Sequence, residues 1–344
     1  MFILFFLVFA VTVFTIVIIR PIAVRFKLVD LPNNRKYHIG NIPLVGGLAM
    51  FIGVLAGFFF AFNPIDSYFY YFLFLSFFTL IIVGVIDDLR SMSFAIKLFL
   101  QIISASILVL ISDVKILSLG DLFSFGPIGL GIFSSFFSIV SIIAVINSLN
   151  FSDGIDGSAG SIALVTFSSI AFFTYTFDLS NSLIVAIIFI ASTLAFLIFN
   201  VGYATNQGFK IFMGDSGSMF LGISIAWLLI SLSQGEERAF SPATALWIYA
   251  IPLMDSFSIL IRRTIKGQSP FLPDRQHLHH LILSKGFTDR QALIIIIILS
   301  LLMAFLGIIM ETSGVKEAYV FFLFLFVSIS YCFSTIFFWR VKNS

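Results

Sequence analysis

Two adjacent carboxylates, Asp87 and Asp88 in the stretch Gly84-Val85-Ile86-Asp87-Asp88-Leu89-Arg90, close an apolar run that starts near Tyr68. Two acids side by side repel each other and raise each other's proton affinity unless a cation lies beside them. Next to a metal and a phosphate, one can act as base or assist the metal while the other orients substrate. The bland alternative is a chance pair at the membrane edge, where charge costs less than at the bilayer centre. Lys97 follows shortly after and either snorkels to the interface or holds a phosphate there. Its spacing from the pair leaves both roles open.

Three further clusters carry similar chemistry. "NSLNFSDGIDG" supplies Asn147, Asn150, Asp153 and Asp156 at three-residue steps, which helical geometry would stack along one face. Gly154 and Gly157 permit close backbone approach or a non-helical turn. Helix capping explains any one of these polar residues; a regular series where an apolar helix ends argues for a site. "GDSGS" opens a later apolar run, where Asp215 either caps a helix or holds a divalent cation bridging to phosphate oxygens. Magnesium suits such a place, because it takes hard oxygen ligands and few of them from protein. "RQHLHH" contains His277, His279 and His280. Histidine-rich tracts raise zinc, but no cysteine or regular helical pair completes a tetrahedral site. With Arg262, Arg263, Lys266 and Arg275 nearby, a diphosphate is the better partner. A basic juxtamembrane loop resting on anionic lipid would explain the Arg and Lys. It would not explain three imidazoles on a segment stiffened by Pro270 and Pro273. In "IPLVGG", after a basic loop containing His38, Gly46 and Gly47 are read as helix-packing positions.

The elements that hold these residues follow from composition. Of 344 residues, 60% are hydrophobic and 10% charged, whereas soluble domains carry about 25% charged residues. The chain is therefore an all-α polytopic membrane protein, read as one domain over 1–344. A net charge of +2 gives no reason for a nucleic-acid partner, and a lone Cys332 allows no internal disulfide. About 20 apolar residues cross the hydrocarbon. The expected spans are 1–19, 44–62, 68–86, 95–112, 128–147, 158–177, 182–200, 216–232, 242–261, 291–310 and 318–339, about eleven in all. The first lacks a preceding basic residue and a small-residue cleavage site, so it reads as a span and not a removed signal peptide. Short turns are expected at 63–67, 178–181 and 234–240, and a small exposed hairpin near 113–127.

Of the 19 basic residues, only Lys115, Arg238 and Lys316 fall on one side of this arrangement. The rich side is cytoplasmic by the positive-inside rule, which puts the N-terminus outside and the C-terminus inside. All the polar clusters then fall at cytoplasmic ends, as one site built from several helices.

Taken together, "DLPNNRKYHIGNIPLVGG", "DD" with a following lysine, "NSLNFSDGIDG", "FMGDSGS" and "GQSPFLPDRQHLHH" resemble the polyprenyl-phosphate N-acetylhexosamine-1-phosphate transferases. Within that family the chain is most similar to bacterial undecaprenyl-phosphate N-acetylglucosamine-1-phosphate transferases, which start O-antigen, common-antigen and teichoic-acid linkage lipids. The motifs occur in family order from about Asp30 to Leu281. The resemblance implies eleven helices in a bacterial inner membrane and a reaction between undecaprenyl phosphate and a UDP-N-acetylhexosamine, releasing UMP. It implies magnesium, with manganese as an alternative, at Asp215 and Asn150. Asp87 is then the base toward the lipid phosphate, Asp88 its supporting neighbour, and Lys97 the phosphate lysine. Asn147, Asp153 and Asp156 belong to the nucleotide-sugar pocket, and Arg263, His277, His279 and His280 to donor binding. A homodimer is compatible with it. After "DGIDG" the chain reads Ser158-Ala159-Gly160-Ser161, where relatives often carry Leu-Ala and a second glycine, a departure beside the donor pocket. The "PDRQHLHH" segment favours N-acetylglucosamine over transfer of phospho-MurNAc-pentapeptide on the same fold.

Rival readings remain testable. A secondary transporter places its site near the bilayer midplane, and Asp255 beside Pro252 is the only acid expected well inside a span. An intramembrane aspartyl protease needs a second aspartate close to Asp215 inside the membrane, and no such partner is evident. A non-catalytic scaffold predicts inert polar clusters.

Overall fold

The computed structural model describes residues 1–31, 40–62, 68–202, 208–265, 267 and 277–343. The readings placed on His38, on the turn at 63–67, and on Lys266, Pro270, Pro273 and Arg275 lie outside the described residues. The helices are α1 (Phe2–Arg25), α2 (Gly46–Ala61), α3 (Tyr68–Leu89), α4 (Phe94–Ser106, continued by a π turn Ile107–Ile111), α5 (Ser134–Ser152), α6 (Ser158–Thr176) and α7 (Ser180–Asn200). They continue as α8 (Gly214–Ser233), α9 (Pro242–Ile248), α10 (Ala250–Ile265), α11 (Leu278–Leu283), α12 (Asp289–Thr312) and α13 (Glu317–Asn343). Two short antiparallel strands, β1 (Val29–Asp30) and β2 (Ile42–Pro43), pair with Val29 opposite Pro43.

Among the described residues, nine helical segments are long and apolar enough to cross a membrane. Two expected spans differ from this pattern. The 242–261 segment is broken into α9 and α10, which meet at 87°. Pro252 accounts for the break: it has no N–H, and its ring collides with the carbonyl four residues back, at Ile248, where α9 ends. The other is α2, whose 16 residues rise about 24 Å at 1.5 Å per residue, short of a hydrocarbon layer about 30 Å thick.

At the centre of the protein is α8, 94% of whose span is buried, whereas α12 and α13 are buried over only 22% and 17% of theirs. Small residues make this possible, since helices approach closely in membranes where no side chain intervenes. On α2, Gly47 lies against the backbone of Gly217; on α3, Gly84 lies against the backbone of Ser216; and Gly222 lies against Ile146 of α5. The reading of Gly46 and Gly47 as packing positions therefore holds. Three helices are drawn onto the first turns of α8, and their polar ends converge there.

The short strands add to this. Pro43 accepts the Phe212 amide at 2.9 Å, and the Gly46 and Gly47 amides bond to the Phe212 and Met213 carbonyls at 3.0 and 3.1 Å. The segment entering α8 is thereby fixed to the start of α2. At the opposite end of the bundle the expected hairpin is present: Leu119 and Gly120 exchange backbone bonds with Ile128 at 2.9 and 3.0 Å. Glu317 of α13 holds it by accepting the Asp121 amide at 2.9 Å.

Candidate active site

Asp87, in the last turn of α3, accepts the Met92 amide at 2.7 Å and the Lys97 ammonium at 2.6 Å. The same Lys97 Nζ, from the first turns of α4, lies 2.5 Å from Asp215 Oδ2. Ser93 starts α4 by accepting the Ile96 amide, which sets the register that aims Lys97 between the two acids. Asn150 of α5 completes the group, donating to Asp215 Oδ1 at 3.0 Å and to Ser218 at 2.8 Å. Four helices thus contribute to one cluster, and the ammonium supplies the cation that the acidic groups require.

Asp88 points elsewhere. Its Oδ1 accepts the Asp215 backbone amide at 2.9 Å, and its Oδ2 is buried without a hydrogen-bond partner among the described residues. The residue before α8, Met213, makes no side-chain cap. Asp88 therefore caps α8 from the neighbouring helix, where the positive end of the helix dipole favours an anion. Capping was one of two roles considered for Asp215; that role belongs to Asp88, and Asp215 is left for the cluster.

The polar series on α5 does not continue as a helical stripe. The helix ends at Ser152, with Asp153 in the capping position and Gly157 in the left-handed region at φ 78°. Asn147 and Asn150 share the helix, while Asp153 and Asp156 lie on the turn after it. Asn147 donates to Gln101 of α4 at 2.8 Å. Asp156 is bonded to Lys210 at 2.5 Å. Asp153 reaches solvent, yet the protein packed around it, and then the charges of Asp215 and Asp156, push its carboxyl up to about 7.

The histidines, expected in a loop, are packed into the protein. His277 stands directly before α11, and His277 and His279 are only 6% and 4% exposed. The His277 and His279 rings are parallel, with centroids 5.8 Å apart, and His280 lies 4.1 Å from His279. A side chain at Gly154 would overlap His279 Nε2, so this glycine lets the imidazole rest on the turn that carries Asp153 and Asp156. Burial, then the neighbouring His280 and His277, hold the His279 imidazole down to about 3. Arg263 is buried in the last turn of α10.

Comparison with known proteins identifies the family. Residues 70–233 match the model of glycosyl transferase family 4. The chain is 38% identical over 334 residues to an undecaprenyl-phosphate alpha-N-acetylglucosaminyl 1-phosphate transferase of Salmonella typhi, covering 94% of this chain and 89% of the relative. It is 37% identical over 330 residues to the protein so named from Haemophilus influenzae, covering 96% and 92%. The chain belongs to glycosyl transferase family 4. The match of 70–233 takes in every member of the acidic cluster, whereas His277 and the histidines of α11 lie beyond that region.

In this family 4 protein some participants carried weak sequence signals. Gln101, buried in the apolar α4, holds Asn147; a single amide inside an apolar run was its only mark. Ser218, the last residue of "GDSGS", and Lys210, just before "FMGDSGS", bond to Asn150 and Asp156. Asp255, the pointer toward a transporter, is engaged by the Leu278 amide, the Tyr331 hydroxyl and His277. That explains its burial without an ion pathway.

Proposed function

We propose that the protein transfers N-acetylglucosamine 1-phosphate from UDP-N-acetylglucosamine to undecaprenyl phosphate and releases UMP. The observation that carries this reading is the Lys97 ammonium held between Asp87 and Asp215, with Asn150 alongside, at the ends of apolar helices. A lipid phosphate arriving along the bilayer and a nucleotide diphosphate arriving from water would meet there. The relatives' names supply the acceptor and the transferred group. The excess of Lys and Arg on the same side supports a site facing the cytoplasm of a bacterial inner membrane.

In this mechanism a phosphate oxygen of the acceptor attacks the sugar-bearing phosphorus of the donor. The bond from that phosphorus to the bridging oxygen breaks, and the electron pair leaves on UMP. Little covalent machinery is required, because phosphoryl transfer runs on positioning and charge neutralisation. Asp87 takes any proton on the acceptor phosphate and keeps Lys97 aligned. Lys97 neutralises the attacking and transferred phosphates as they approach. The residues fit a magnesium ion: Asp215 and Asn150 offer hard oxygens, and the rest of an octahedron is left to water and phosphate. When bound, magnesium would neutralise the donor diphosphate. Asp153, Asp156 and the histidines line the donor side, where a neutral His279 can accept or donate a hydrogen bond without adding charge.

The deciding experiment measures UMP release from the purified protein in lipid, with undecaprenyl phosphate, magnesium and UDP-sugars supplied one at a time. Release with UDP-N-acetylglucosamine that depends on both lipid and metal is expected. Folded protein that releases no UMP with any donor would overturn the reading and favour transport.

A further inference from the structure

Asp255 lies outside the acidic cluster and is only 6% exposed, yet three elements meet at its carboxylate. Oδ1 accepts the Leu278 amide of α11 at 3.0 Å and the Tyr331 hydroxyl of α13 at 2.9 Å. Oδ2 lies 3.0 Å from His277 Nδ1. The chain leaves α10 at Ile265 and re-enters the described fold at His277. Asp255 therefore ties α10 to the place where the chain returns. His277 makes no side-chain cap of its own to α11; Asp255 receives the first amide of that helix instead.

The consequence for the histidines is chemical. An acceptor on Nδ1 makes that nitrogen the donor, fixes the ring plane and turns Nε2 away from the carboxylate. The same partnership orients histidines that bind metals, where losing the outer carboxylate weakens the inner contact. Here the fixed ring is the first of a row: it lies parallel to His279, which touches His280 and rests on Gly154 beside Asp153 and Asp156. We propose that Asp255 is a positioning residue for donor binding, holding His277 Nδ1 and the start of α11 so that the histidine row meets the donor diphosphate. This rests on the reading of the protein as a sugar-1-phosphate transferase.

The test uses the full chain in lipid nanodiscs and follows UMP release while donor and acceptor are varied separately. Asp255→Asn keeps an oxygen for Leu278 and Tyr331 but puts an amide N–H₂ where Oδ2 faced His277. The donor KM rises about tenfold, the size of one charge-assisted hydrogen bond, while the acceptor KM stays at the wild-type value. In a His277→Ala background the same substitution produces no further rise, because Asp255 acts through that imidazole. An unchanged donor KM, equal rises in both KM values, or additive effects in the double variant would each overturn the proposal. Should Asp255→Asn yield no folded protein, Tyr331→Phe carries the test. Removing one donor to the carboxylate raises the donor KM about threefold, and no change would overturn the proposal. A folded wild-type protein that releases no UMP in the same assay defeats the transferase reading itself and takes this inference with it.

Discussion

Asp88 Oδ1 accepts the backbone amide of Asp215 at 2.9 Å, so one carboxylate of the pair sets the position of the acid that its neighbour's partner, Lys97, also holds. Adjacent in sequence, Asp87 and Asp88 point to different partners and do different work. Asp88→Ala should cost about 0.5–2 kcal/mol, as loss of a helix cap does, and should lower turnover because Asp215 shifts. Asp88→Asn retains an accepting oxygen and should keep most of the stability. Thermal unfolding in detergent distinguishes the two variants; equal destabilisation would show that the contact is not a cap.

Asp87→Asn removes a carboxylate charge held against Lys97 while keeping an oxygen for the Met92 amide. It should leave thermal unfolding close to wild type while reducing UMP release by about a hundredfold or more, the range for loss of a positioned acid–base group. Full activity in that variant would remove Asp87 from the chemistry.

Lys97 lies between Asp87 and Asp215, and Asp215 is the acid proposed to hold magnesium. Lys97→Met removes the cation that pairs with Asp215, so magnesium should bind more tightly at Asp215 and Asn150 even as turnover falls steeply. Titration of the variant with manganese, followed by electron paramagnetic resonance, reads metal affinity without reading catalysis. Weaker binding than wild type would mean that the metal and Lys97 do not share Asp215. Asp215→Asn should weaken metal binding and turnover together.

His279 provides a pH test whose sign follows from its surroundings. Burial and the adjacent imidazoles hold it down to about 3, while a histidine in the unfolded chain titrates near 6.5. Below about 6.5 the unfolded chain takes up a proton that the folded protein refuses. The contribution of His279 is therefore fully present above that pH and is lost as pH falls toward 3. His279→Asn should flatten the fall of unfolding temperature between pH 7 and pH 4. An identical pH profile in wild type and variant would show that His279 titrates normally.

Much of the site was legible because polar side chains at the ends of apolar runs have few other reasons to be there. Asp87, Lys97, Asn150 and Asp215 were all marked in this way, and the structure joins them by direct contacts. What each acid does was harder to read. Only the approach of α3 to α8 through Gly84 decides that Asp88 reaches a backbone amide. The break between α9 and α10 was hidden because an apolar stretch with one internal proline, Pro252, still reads as a span, although that proline is the cause. The burial of the histidines depends on Asp255 and Gly154, far apart in sequence, and spacing within "RQHLHH" carries no trace of either contact.

The approach of α3 to α8 also yields the sharpest steric prediction. A methyl group at Gly84 would overlap the backbone of Ser216, and backbone in the central, buried helix cannot yield as a flexible side chain would. Gly84→Ala must therefore push α3 away from α8 and carry Asp87 and Asp88 with it. The overpacking should cost about 1–3 kcal/mol, visible as a lower unfolding temperature. Turnover should fall further than that loss alone would imply, because a displacement of about 1 Å at reacting groups can cost a hundredfold. UMP release measured well below the unfolding temperature separates the two effects. A variant that is destabilised yet fully active would mean that the distance between α3 and α8 does not set the geometry of the Asp87, Lys97 and Asp215 cluster.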